Sequence, residues 1–271
     1  MSDTEYGGYA LPDLSDTGQW RLVVSVAADG VSAALRAVDE AGARPLLLFR
    51  ETWTPEESSL LHRIETAVYD HPRLLDDFAT EIVVTTSRAL WVPAESLETE
   101  GAEEELFTCV YPASPEDIHV DLHQEMACLY TLVPGLSGFL SRTMPGARIR
   151  SHQTLLHERF SRQASGTPRL YADIREGEAD FMAFDGRQLL CASTASWRAP
   201  ADVGYRLFLM ADTYGLDICA SEVHLSGRPE ARSELAAMLR KTGVVVMIDP
   251  EPPAVAALGM TLAPALALAR I

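Results

Sequence analysis

The densest set of potential metal ligands in the chain is His119, Asp121, His123 and Glu125, which follow or alternate with Ile118, Val120 and Leu122. On a β-strand alternate side chains share a face, so these imidazoles and carboxylates would present a donor set suited to Zn²⁺ or a similar ion. Ligands two residues apart along one strand spread too far to converge on a single ion without help from elsewhere. The stretch is therefore read as a half-buried strand with polar residues on its solvent side, and His119, Asp121 and His123 stay as weak metal candidates. No residue is assigned to catalysis. Gly135-Leu136-Ser137-Gly138 lacks the spacing of a nucleophile elbow, and the chain holds no Walker A loop, no dinucleotide glycine triad and no His-Glu-x-x-His. Cys109, Cys128, Cys191 and Cys219 are widely spaced in apolar contexts, which predicts reduced, buried thiols in a cytoplasmic protein.

The composition narrows the classes of partner. With 271 residues, 47% of them hydrophobic, the chain can bury one large core or two ordinary ones and is not a disordered segment. Its formal charge of -17 repels nucleic-acid phosphates and anionic membrane surfaces unless a local basic patch overrides the field. The one basic bias is Arg148, Arg150, Arg159, Arg162 and Arg169, read either as one side of an interface or as local charge balance. Lys241 is the sole lysine, a usage that fits a GC-rich genome or a salt-adapted host whose acidic surface is screened. Residues 1–18 are polar, without an export signal, and are read as a loose tail. Ala254 to Ile271 is almost wholly apolar, but Pro264 interrupts it and its length only reaches the lower limit for crossing a bilayer. A buried terminal helix is expected there, and no membrane insertion.

An internal duplication organises these features. The first copy opens with Trp20 to Ala28, turns at Asp29-Gly30 and continues as Val31 to Val38; the second opens with Pro168 to Arg175, turns near Glu176-Gly177 and continues as Ala179 to Phe184. Each pair reads as a β-hairpin. A third strand follows, Pro45 to Phe49 or Gln188 to Cys191, then a tryptophan, Trp53 or Trp197, with Pro55 or Pro200 close behind. Amphipathic helices come next, striped by Leu60, Leu61, Ile64, Val68 and Tyr69 in one copy and by Tyr205, Leu207, Phe208, Met210 and Ala211 in the other. Strands return at Glu81 to Thr85 and at Asp217 to Ser221, the latter extending towards Leu225. The second copy adds a helix from Pro229 to Lys241, a strand from Val244 to Ile248 and the apolar terminal helix. Helical crossovers require parallel pairing beside each hairpin, which gives α/β mixed sheets. The predicted organisation is a tail at 1–18, a first unit at 19–160 with an elaborated insert at about 94–160, and a second unit at 167–271. Within the insert, Glu95 to Glu105 reads as a solvated helix or loop, Asp117 to Val133 as one or two strands, Gly135 to Met144 as a helix and Ala147 to His152 as a strand.

This duplicated βββαβαβα unit, ribonuclease H-like in each half, resembles the actin-like ATPase (ASKHA) superfamily shared by actin, sugar kinases and Hsp70. The arrangement is similar to the actin-like proteins of type IV pilus assembly and to a bacterial family of that superfamily with no known activity. The resemblance implies ATP and Mg²⁺ held at three short motifs, and each departs from the pattern. The first phosphate loop, Asp-x-Gly in active members, reads Ser25 to Gly30 with Asp29 directly against Gly30, as in an ordinary hairpin turn. The second, Asp-x-Gly-Gly, reads Asp173-Ile174-Arg175-Glu176-Gly177, with a carboxylate where phosphate would lie. The adenosine motif keeps one glycine, in Gly227-Arg228-Pro229, where a helix N-terminus and Arg228 could receive an anion. Asp29, Gly30, Asp173, Gly177, Gly227 and Arg228 thus mark a vestigial nucleotide cleft. The expected role is a non-catalytic cytoplasmic module, a pseudoenzyme that works through a protein partner or as a homodimer, with no cofactor and no nucleic acid. The alternative is a divergent nucleotide-binding protein or weak ATPase.

Overall fold

A computed structural model of the chain describes residues 14–38, 45–54, 59–123, 125–163, 166–249 and 262–269. The hairpins expected from the two glycine turns are β1 (Trp20–Ala27) with β2 (Gly30–Ala37), and β9 (Arg169–Ile174) with β10 (Glu178–Asp185). Each gains a third antiparallel strand, β3 (Leu46–Thr52) or β11 (Gln188–Ser196). The crossover helices α1 (Leu60–Asp70) and α5 (Pro200–Thr213) return the chain to β4 (Ala79–Val84) and β12 (Glu222–Gly227), which pair parallel to β1 and β9. A fifth strand completes each sheet in parallel, β8 (Arg148–Ser151) on β4 and β13 (Val245–Ile248) on β12 after helix α6 (Pro229–Lys241). The two sheets have matching orders, β3-β2-β1-β4-β8 and β11-β10-β9-β12-β13.

Between β4 and β8 the chain builds a third sheet of order β5-β7-β6, from β5 (Ala89–Pro93), β6 (Ile118–His123) and β7 (Met126–Thr131). Helix α2 (Ala102–Thr108) and helix α3 (Leu136–Thr143) accompany it. The 94–160 stretch read as an insert therefore divides, because β8 belongs to the repeated five-stranded pattern. Helix α4 (His152–Arg162) follows β8 at once, and its Leu155, Leu156 and Phe160 enter a core shared by both five-stranded sheets.

Strand alternation explains how three apolar layers arise. Leu22, Val24 and Val26 face the core beneath α1 and α3, whereas Val23 faces the shared core. On β9, Leu170, Ala172 and Ile174 face α5 and α6, whereas Tyr171 joins the shared core. The last described helix, α7 (Leu262–Ala269), places Leu262, Ala263, Leu266, Ala267 and Leu268 in that same core. The start of the expected terminal helix lies outside the described residues. Among the described residues no helix is long and apolar enough to cross a membrane.

The repeated tryptophans have one structural job. Trp53 donates its indole N–H to the Ala28 carbonyl at 2.9 Å and its amide to the Asp29 carbonyl at 2.9 Å. Trp197 donates its indole N–H to the carbonyls of Arg175 and Glu178, both at 3.0 Å, and its amide to the Gly177 carbonyl at 3.0 Å. Each tryptophan reaches across from the end of the third strand to satisfy backbone groups of the opposite hairpin turn.

Several expectations are corrected. Residues 14–18 are not loose throughout, since Leu14 is buried and Asp16 caps a short 3-10 turn at Thr17–Gln19. The returning strand of the second copy starts at Glu222, because Asp217 accepts the Cys219 amide on its side chain and the Ala220 amide on its carbonyl, folding 217–221 into a turn. On α5, Tyr205 and Phe208 are exposed, and Val203, Leu207, Met210 and Ala211 make the buried stripe. Cys109 and Cys219 are exposed, unlike the buried Cys128. Arg150 and Arg169 are buried: Arg150 pairs with Glu81 and Glu158, and Arg169 donates to the Phe160 carbonyl, the Tyr171 hydroxyl and the Gly186 carbonyl. Arg150 balances internal carboxylates, Arg169 is satisfied by neutral acceptors, and neither presents a basic surface.

Candidate functional site

Asp173 on β9 and Asp180 on β10 are direct cross-strand neighbours, and both point into the layer between the five-stranded sheets. Like charges placed opposite each other on a sheet destabilise it unless one is neutral or compensated. Here the two carboxyls separate their roles. Asp180, only 2% exposed, is enclosed by donors: Arg175 Nε at 2.8 Å, His152 Nε2 at 2.9 Å, Thr194 Oγ1 at 2.5 Å and Gln153 Nε2 at 3.3 Å. Burial alone would raise its pKa, but the charges and hydrogen bonds of His152 and Arg175 outweigh burial and hold it well below the usual carboxylate range. Asp173, 1% exposed, accepts one bond from Ser226 Oγ at 2.7 Å. Burial pushes its pKa up to about 6, with the Asp180 charge adding to the rise.

The donors come from three parts of the chain. His152 and Gln153 form the first turn of α4, Thr194 stands on β11, and Arg175 follows β9. Gln153 also donates to Thr194 Oγ1 at 2.7 Å and accepts the Trp91 indole N–H at 2.9 Å, so the third sheet is tied into the same network. Asp121 fixes the start of α4: its Oδ2 accepts the Ser151 amide at 2.9 Å and Thr154 Oγ1 at 2.7 Å. A carboxylate held beside the helix start by the amide of the N-cap residue Ser151 and the Thr154 hydroxyl is a favourable neighbour for the positive end of the helix dipole.

The residues singled out from the sequence are partly brought together. Asp173, Gly227 and Arg228 cluster at the ends of β9 and β12, where the Arg228 amide donates to the Ile174 carbonyl at 2.8 Å and the Arg228 guanidinium pairs with Glu176. Gly177 closes the adjacent β9–β10 turn. Gly227 has φ of +86°, and a Cβ there would collide with the backbone of Ile174, so a close strand approach accounts for the glycine. Asp29 and Gly30 sit on the hairpin of the first sheet, with Asp29 exposed. No hydrogen bond or ion pair of the described residues joins Asp29 to the Asp173 cluster. A Cβ on Gly30 would lie 2.5 Å from the Glu51 carbonyl oxygen, again a backbone reason for glycine.

The metal candidates take other roles. His119, Asp121 and His123 share a face of β6 as expected, but that face turns inward, and Val120 (37% exposed) and Leu122 (70%) face out. Asp121 caps α4, His123 lies 3.6 Å from Glu158, and His119 packs on Tyr130. Among the described residues no group of three or more His, Cys, Asp or Glu side chains is placed to hold a metal ion.

Sequence reasoning missed His152, Gln153, Asp180, Thr194 and Trp91. Asp180 carried a usable signal, as the lone carboxylate in the apolar run Ala179 to Phe184, because a charge on a strand buried on both faces demands partners.

A family model described as "Protein of unknown function (DUF3822)" matches residues 12–241. The chain belongs to this family. Among solved structures, this DUF3822 member is similar to a Bacteroides thetaiotaomicron protein with an actin-like ATPase fold and unknown function. The two are 22% identical with a TM-score of 0.77, over 89% of this chain and 94% of that one. A chain of a PilM–PilN type IV pilus biogenesis complex is 13% identical with a TM-score of 0.55, over 92% and 97% of the two chains. These likenesses show that the DUF3822 chain has the actin-like ATPase fold. No curated protein matches it in sequence.

Proposed function

We propose that this protein is an actin-like module that binds no nucleotide and acts in the cytoplasm by holding a protein partner. The observation that carries this reading is the enclosure of Asp180 by Arg175, His152, Gln153 and Thr194, beside a buried Asp173. The fold family implies a polyphosphate and Mg²⁺ near these turns, and the residues present do not fit that group. A phosphate loop needs backbone N–H groups free to face phosphate oxygens. In this turn the Arg175 amide is spent on the Glu178 carbonyl at 2.8 Å, and the Arg175 side chain is committed to Asp180 and Glu178. Glu176 adds a negative charge where phosphate would approach, and Arg228 already neutralises it. The PilM–PilN complex, in which a protein of this fold occurs with a partner protein, supports the choice of protein contact as the role.

Calorimetric titration of the full-length protein with ATP and Mg²⁺, and separately with ADP, tests the reading. The expected result is no saturable heat. Saturable binding at micromolar concentration would overturn it.

A further inference from the structure

Away from the Asp180 network, the described residues form a groove of about 1010 Å³ between the third sheet, α4 and the β10–β11 turn. Its volume is at the upper end of the range of about 300–1,000 Å³ typical of small-molecule pockets. It is partly open to solvent, lined by the 94–98 segment, the β6–β7 turn, α4 and the β10–β11 turn, and it has room for several side chains of a polypeptide segment.

Charge selects the kind of polypeptide. Glu95, Glu98 and Glu125 line one wall and are all exposed. Glu158 also lines the groove, but Arg150 holds it through two hydrogen bonds of 3.1 and 2.5 Å, so it adds little free charge. The lining also holds Arg162, which interacts within the chain, and Arg187, so three exposed carboxylates stand against two arginines. The floor is neutral: burial lowers the pKa of His123, and burial together with His123 lowers that of His157 to about 4. His157 lies against Trp91 and Phe184, with ring centroids at 4.7 and 5.6 Å, and presents an aromatic surface to the groove. The net charge of -17 adds a long-range field of the same sign as the acidic wall.

We infer that this groove docks an extended basic segment of a partner protein, with arginine or lysine side chains paired to Glu95, Glu98 and Glu125 and an apolar side chain laid on His157. The inference rests on the protein-contact reading above and gives that contact a place and a chemistry. Attraction over the whole acidic surface sets the association rate, and the three-carboxylate wall sets the register.

Fluorescence anisotropy on the full-length protein tests this with a labelled peptide of alternating arginine and leucine and its glutamate-for-arginine counterpart. The basic peptide is expected to bind and the acidic one to fail. The triple variant Glu95→Gln, Glu98→Gln, Glu125→Gln should weaken binding by about tenfold, as three partly exposed ion pairs would. The equal charge removal Glu104→Gln, Glu105→Gln, Glu230→Gln, at exposed positions that do not line the groove, should weaken it by less than about threefold. Ser161→Trp, which fills the floor, should abolish binding while the melting temperature stays within a few degrees. Equal losses in the two triple variants, unchanged binding by Ser161→Trp, or no binding of the basic peptide would each overturn the groove assignment. None of these outcomes touches the nucleotide titration, so the groove can fail while the reading that no nucleotide binds stands on that separate measurement.

Discussion

The same conservative substitution should have opposite effects at the two facing aspartates. For a carboxyl with a pKa of about 6 in the folded protein against an ordinary 3.8, ionisation at pH 7 costs about 3 kcal/mol of folding free energy. Asp173→Asn removes that cost and keeps an oxygen for Ser226 Oγ, so it should stabilise the protein by about 2–3 kcal/mol at pH 7. The sign follows from proton binding. The folded state holds the Asp173 proton more tightly than the unfolded chain, so this group's contribution to stability falls as pH rises from about 4 to about 6, then levels off. The difference between variant and wild type should therefore vanish below about pH 4. Asp180→Asn leaves the buried Arg175 guanidinium with only the partly exposed Glu178 as a charge partner, so a loss towards the lower end of the about 3–5 kcal/mol typical of breaking a buried pair is expected. Urea unfolding at pH 7 and across an acid series measures both. An Asp173→Asn protein less stable than wild type at pH 7, or a difference that does not change between about pH 4 and 6, would refute this assignment of charge to the pair.

Further outcomes follow from neighbouring residues. His157, whose pKa is lowered to about 4 chiefly by burial, is a base held neutral by the fold, so its contribution is present above its ordinary value near 6.5 and is lost as pH falls towards 4. In urea unfolding, His157→Gln should lessen that acid loss, leaving the smaller part that His119 and His123, also lowered by burial, contribute with the same sign. Gly227→Ala must move the Ile174 backbone and adopt a positive φ, and a loss of more than about 3 kcal/mol is expected in the same assay. Trp53→Phe and Trp197→Phe each remove the indole donor that satisfies a hairpin turn, which should lower stability by about 1 kcal/mol apiece, measured by thermal melting.

The parts of the fold that could be read from sequence are those whose causes are local. Glycine turns followed by alternating apolar residues mark both hairpins, and the two tryptophans mark the same event in each copy, the closing of a turn from the end of the third strand. Placement across the chain was not legible. The pattern of β6 shows two unlike faces but not which one turns inward, and that is decided by Asp121 reaching the start of α4. Likewise Asp180 stands out as a charge in an apolar strand, yet its partners His152 and Gln153 lie on a different element and nothing near Asp180 in sequence points to them. β12 begins later than its β-rich run because Asp217 captures backbone amides first. The short strand β8 was visible, but its membership of the first five-stranded sheet depends on a parallel pairing formed across the whole third sheet.

The layer between the two five-stranded sheets is filled by the chain's own side chains, apolar in the shared core and polar around Asp180. Backbone amide hydrogen exchange over β9, β10 and residues 226–228, with and without ATP and Mg²⁺, tests this most directly. Slow exchange in β9 and β10 that nucleotide leaves unchanged is the predicted result. New protection of the Arg175 to Gly177 turn and of Gly227 on adding ATP would contradict it.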